Sequence, residues 1–313
     1  LSSLGWGSAS FQLNATFQGG NMIPLFAVNS LCICAVNCFV MISGYYGIKP
    51  ATKKVLVLLS AVTFYTLLFT TPYYIANKDY ANGLFSLLIL SHSKYWFVVD
   101  YLFLMAFAPL FNKFHGKKLI VLMLFISCYM GFLWKFQANE NGYTLFQFFT
   151  IYCLGRYLKD HKVAICKWTG FSLYLGGAVL TAVLCFGLYE MNLDKFAWRM
   201  TYYNNPLIIV STIGLFFFFK GMNFQSRNVN LIAKSAFGIY LFQCAEGIRV
   251  FYYNTIHEIS EGNGVLLTMM SVLLFALGIV IMAVAVDFVQ RFISDKVVSY
   301  IVQRFPKLNN LSV

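Results

Sequence analysis

Apolar positions along this chain come in long blocks, without the strict alternation of a half-buried strand. Read with a membrane-sized window, the blocks fall at about 25–48, 55–76, 95–112, 118–134, 143–158, 169–189, 205–219, 235–253 and 264–290. They are too long for the tilted strands of a membrane barrel, which need roughly 10 residues. The pattern predicts an all-α, polytopic transmembrane helical bundle with about nine visible spans. Between the second and third blocks, residues 82–91 form an apolar run too short to span, which suits an interfacial helix.

Composition sharpens this picture. Hydrophobic residues make up 59% of the chain and charged residues 11%, with a mean hydropathy of +0.69. A soluble domain carries about 25% charged residues, so this chain cannot wet its own surface. In lipid, only helices or closed barrels satisfy every backbone polar group, and the block lengths choose helices.

Charge then sets orientation. Seventeen of the 23 Lys and Arg residues fall in one set of alternate loops and six in the other. Positive loops stay on the cytoplasmic side, which places residues 1–24 outside and the C-terminus inside. The net charge of +12 is therefore accounted for by topology and by contacts to anionic membrane lipids, with no nucleic-acid partner required. The eight cysteines lie in or beside apolar blocks and read as small buried hydrophobes; their spacing matches no metal site and no disulfide framework. Residues 1–24 have neither an initiating Met nor the layout of a signal peptide. An outer start and an inner end imply a parent with ten helices, one of them upstream of Leu1.

Four phrases carry a family resemblance. The run Cys34-Ala-Val-Asn-Cys-Phe-Val-Met-Ile-Ser-Gly-Tyr-Tyr-Gly47 resembles the second helix of the membrane acyltransferase 3 family. Tyr95-Trp96-Phe97 opens a helix that closes with Ala108-Pro-Leu-Phe-Asn112, Leu154-Gly-Arg-Tyr157 ends another, and Ser235-Ala-Phe-Gly-Ile-Tyr-Leu241 opens the penultimate one, in the family's order. The resemblance implies a transmembrane acyltransferase-like domain over residues 1–290, followed by a cytoplasmic basic tail over 291–313. It also implies that the family's arginine and its histidine, a general base, sit on a first helix upstream of Leu1. Family members carry a histidine after the Gly-Ile-Tyr-Leu phrase; here the chain has Phe242-Gln243.

Ionisable side chains inside a membrane are costly and mark either function or a packing pair. Asp100 lies one turn after Trp96 in an apolar segment, and Glu246 and Arg249 are three apart near the outer end of their block, with Gln243 expected on the same stripe. This stripe offers hydrogen bonds to a sugar or an acyl carbonyl, or else forms an internal ion pair that fixes packing. Asp287 and Arg291 are four apart and read as an ordinary helix pair. Asn29, Ser30, Asn37 and Ser43 form a polar stripe that suits helix–helix glue, and Gly44 beside Ser43 permits close approach of a backbone or a ligand. The four histidines, His92, His115, His161 and His257, all lie in loops.

The resemblance implies transfer of an acyl group from a cytoplasmic acyl-CoA, such as acetyl-CoA, to a hydroxyl of a glycan or lipid-linked sugar, in a bacterial inner membrane. Asp100 and Glu246 are the candidate catalytic groups in the visible chain. Ser43, Tyr45, Trp96, Gln243 and Arg249 are candidates for acceptor binding. Lys49, Lys53, Lys54 and Arg156 could hold the donor's phosphates, although positive-inside topology predicts the same cations without a ligand. The competing reading is a transporter or flippase for sugars or lipids, which would show matched broken helices in two halves.

Overall fold

A computed structural model of the chain describes residues 22–49, 51–88, 95–113, 116–133, 142–223, 225–260 and 265–305. Among these residues there is no strand. Most of the expected outer loop at 1–24, the end of the run at 82–91 and the last eight residues of the tail lie outside the described residues. In chain order the helices are α1 (Met22–Cys32), α2 (Ala35–Tyr46), α3 (Thr52–Tyr65), α4 (Thr71–Ala76), α5 (Tyr80–Leu87), α6 (Trp96–Phe111), α7 (Lys117–Ile126), α8 (Leu145–Asp160), α9 (Lys167–Glu190), α10 (Asp194–Arg199), α11 (Pro206–Lys220), α12 (Arg227–Lys234), α13 (Ala236–Cys244), α14 (Glu246–Ser260) and α15 (Val265–Arg304). Among the described residues, the π-helical stretches Thr66–Thr70 and Ser127–Leu133 join α3 to α4 and extend α7.

Among the described residues, four helices are long and apolar enough to cross a membrane: Phe26–Tyr46, Thr52–Ala76, Lys167–Glu190 and Leu266–Arg304. Trp96–Phe111 and Pro206–Lys220 are apolar but shorter. The protein is an all-α helical membrane bundle. The block at 235–253, expected as one span, is divided between α13 and α14.

The chain folds into two compact units. One, called unit 2 here, contains Met22–Pro50 and Phe97–Phe224. Its helices approach closely where both partners are small. A Cβ on Gly44 of α2 would overlap the Tyr152 carbonyl of α8, and one on Gly155 would overlap the Met41 carbonyl in return. Without side chains at these points the two backbones touch, which is how small residues let membrane helices associate. Gly170 of α9 and Gly214 of α11 meet in the same way. Away from the basic loops, the Tyr203 carbonyl receives the Asn37 amide at 2.8 Å and the Gln147 amide at 3.0 Å, while the Ser127 hydroxyl donates to Gln147. Asn37 thus ties α2 to the turn ahead of α11, a polar bond of the kind that contributes about 0.6 kcal/mol in membrane bundles.

Unit 1 contains Ala51–Trp96 and Gln225–Val313. In it α3 packs along α15, and the Ser60 hydroxyl donates to Ser294 at 2.8 Å. The boundary expected between residues 290 and 291 is not an element boundary, since α15 is a single helix of 40 residues. Residues 291–304 hold no Gly or Pro and keep two buried positions one turn apart, Ser294 and Val298. The helix therefore continues to Arg304 and stops ahead of Pro306, whose ring disfavours helical backbone at the preceding residue.

Candidate functional site

At the basic end of unit 2, three of the four phrases converge. After α2 the chain turns at Gly47, whose φ of 77° suits glycine. The next residue, Ile48, donates its N–H to the Tyr152 hydroxyl at 3.1 Å, and that hydroxyl donates to Asn112 Oδ1 at 2.8 Å. One phenol thus ties the ends of α2 and α6 to α8. The Arg156 guanidinium lies over Gly47, 3.1 Å from where a Cβ would stand, and pairs with Asp160 at 3.1 Å. On α2 the Tyr45 ring packs between Phe216, at 5.0 Å, and the Lys220 ammonium, at 4.6 Å. Ser43 Oγ donates to the Phe39 carbonyl at 3.0 Å and lies 3.3 Å from the Tyr101 hydroxyl. Lys49 is exposed beside this turn.

The fourth phrase lies in unit 1 and forms a second polar nest. Ser235 is fully buried and accepts a hydrogen bond from Arg291 Nη2 at 2.9 Å. Arg291 also pairs with Asp287 at 2.8 Å, and Asp287 is only 3% exposed. Its carboxylate sits where a side chain on Gly238 would go, against the first turn of α13. A carboxylate is favoured there by the unpaired N–H groups and dipole of a helix start. The pair expected as an ordinary i,i+4 helix pair is one, with its carboxylate buried and its guanidinium partly exposed, and it docks α13 onto α15.

At the far end of α13 the chain breaks. Ala245 is extended at ψ 129°, and α14 begins at Glu246. The Glu246 N–H leaves the helical ladder and donates to Thr70 Oγ1 at 3.3 Å, within the π-helical stretch that follows α3. In lipid, a backbone group outside the ladder needs such a partner. Glu246 is 6% exposed and takes Arg249 Nη2 at 2.7 Å, with the guanidinium over the Tyr253 ring at 5.8 Å. Thr66 Oγ1 donates to the buried Tyr95 hydroxyl at 3.4 Å. The break overturns one expectation: Gln243 is on α13, out of register with Glu246 and Arg249, and it is exposed. Glu246 and Arg249 stay together because both lie on α14.

Residues 3–289 match the acyltransferase 3 family, described as an acyltransferase domain. The chain belongs to that family. No curated protein and no solved structure matches it.

In this membrane acyltransferase the remaining predicted residues separate. Asp100 is half-buried on α6, with no hydrogen bond or ion pair among the described residues. Trp96 is half-buried at the start of α6, and Lys53 and Lys54 are exposed in the first turn of α3. His92 and His115 lie outside the described residues, as does the His257 side chain; exposed His161 contacts the Tyr157 carbonyl of its own helix at 3.2 Å. Sequence reasoning missed Tyr152, Thr70 and Tyr65. Tyr152 sits half a turn ahead of the Leu154-Gly-Arg-Tyr157 phrase, the one signal that could have found it.

Proposed function

We propose that this acyltransferase moves an acyl group, acetyl in the simplest case, from a cytoplasmic acyl-CoA to a hydroxyl of a glycan or lipid-linked sugar, in a bacterial inner membrane. The balance is simple. The acceptor O–H bond breaks, its oxygen bonds the acyl carbon, the carbon–sulfur bond breaks, and the thiol leaves with the proton.

The observation that supports an acceptor site is the Glu246–Arg249 pair, set at a helix break inside the bundle and flanked by Thr70 and Tyr253. Irregular backbone at membrane depth is tolerated where it is buried or lines a cavity. A carboxylate beside a guanidinium and an aromatic ring supplies the acceptor, donor and apolar face that a sugar needs. Glu246 would orient the attacking hydroxyl, and Arg249 would stabilise charge developing on the acyl oxygen. Asp100, half-buried on α6 and without an ion pair among the described residues, is the alternative acid–base group. The cations suited to the donor's phosphates are, within unit 2, Lys49 and Arg156 and, separately within unit 1, Lys53 and Lys54.

The test uses native protein in inverted membrane vesicles, with radiolabelled acetyl-CoA outside and the host's glycan precursors present. Label should pass to sugar, and Glu246→Gln should slow it at least about a hundredfold, the scale of a lost general acid–base contribution. Sugar translocation without consumption of acetyl-CoA would replace this reading with the carrier.

A further inference from the structure

Tyr65 closes α3 and is 0% exposed, yet its hydroxyl has no hydrogen-bond partner among the described residues. Such a group is expensive in a bundle that spans lipid, and it calls for a specific explanation. The ring is held on several sides, by Phe64 at 5.5 Å, Phe69 at 6.3 Å and Phe242 at 6.4 Å. The hydroxyl therefore has little freedom to seek a partner by rotating. It lies within electrostatic reach of Asp287 and Arg291, but those two are bonded to each other and Arg291 to Ser235. Neither of them takes the phenol's proton, which leaves Tyr65 as a fixed, unused donor.

Position along α3 says what that donor could meet. Lys54 is eleven residues earlier, three turns of the same helix, so it and Tyr65 share a face about 16 Å apart along the axis. Coenzyme A has the same layout, with phosphates at one end, the acyl thioester at the other and a long flexible arm between them. Resting on the acyl-CoA reading above, we infer that Tyr65 is a further catalytic residue: its hydroxyl donates to the carbonyl oxygen of the acyl thioester while Lys53 and Lys54 take the phosphates. As the acceptor hydroxyl attacks, charge builds on that oxygen and the same hydrogen bond strengthens. The oxygen keeps its bond to carbon throughout, so Tyr65 transfers no proton and the reaction balance is unchanged.

The experiment compares native protein with Tyr65→Phe, which removes the hydroxyl and keeps the ring. The kcat with acetyl-CoA should fall about a hundredfold or more, as when an oxyanion donor is deleted, with the apparent melting temperature unchanged. A second measurement covers binding. S-ethyl-CoA, with a methylene in place of the carbonyl, should bind wild type about tenfold more weakly than acetyl-CoA, and Tyr65→Phe should bind the two equally. If Tyr65→Phe turns over like wild type, or still favours acetyl-CoA over the thioether, the hydroxyl does not touch the acyl group and the inference fails alone. If wild type neither binds nor consumes acetyl-CoA, the donor reading fails first.

Discussion

Gly44 of α2 lies directly against the Tyr152 carbonyl of α8, and there is no room at that crossing for even one methyl group. Gly44→Ala and Gly155→Ala should each lower the apparent melting temperature in detergent, since overpacking costs about 1–3 kcal/mol. Gly176→Ala is the control, because nothing lies within 4 Å of its added methyl, and it should be neutral or slightly stabilising. Equal melting temperatures for all three variants would show that the crossing is looser than described.

Tyr152 carries two bonds on one oxygen, accepting from Ile48 and donating to Asn112. Tyr152→Phe strands both partners and should cost about 1–3 kcal/mol. Asn112→Leu should cost less, and the double variant should fall short of the sum by at least about 0.5 kcal/mol. A strictly additive result, measured by thermal unfolding, would mean that the two side chains are not coupled.

The Glu246–Arg249 pair separates packing from substrate binding. Removing either partner leaves a largely buried charge, at a cost of roughly 3–5 kcal/mol if it is fully desolvated, so Glu246→Gln or Arg249→Leu alone should destabilise. Glu246→Leu with Arg249→Leu should recover much of that stability and remain inactive. A double variant that is both stable and fully active would remove the pair from the acceptor site.

Topology is open to a direct check. A reporter active only outside the cytoplasm should work when fused after Asn141 or Asn263, and be silent after Gly116 or Asn223. The opposite pattern at two or more of these points would overturn the orientation.

The helical class was legible because lipid leaves so few options, and the blocks at 25–48, 55–76 and 169–189 became long helices close to those limits. The break at Ala245 was not legible. Alanine is the best helix former, and the break depends on a hydroxyl at Thr70, 176 positions away in sequence. The bond from Arg291 back to Ser235, and the helix running on past it, were not legible either, because both depend on a partner 56 positions away. In the site, Gly44 was legible as a point of close approach. The use of Tyr65 was not, because a lone Tyr in an apolar helix carries no signal until its neighbours are known.

The interruption at Ala245 also bears on how the chain is made. Residues 235–253 are apolar enough to enter the membrane as one segment. The hydroxyl that receives the Glu246 N–H belongs to Thr70, which is synthesised far earlier and is already in the bilayer when this segment arrives. The break thus ties two segments made far apart in time through one hydrogen bond, and a Thr70→Val chain should show heightened protease sensitivity around Ala245.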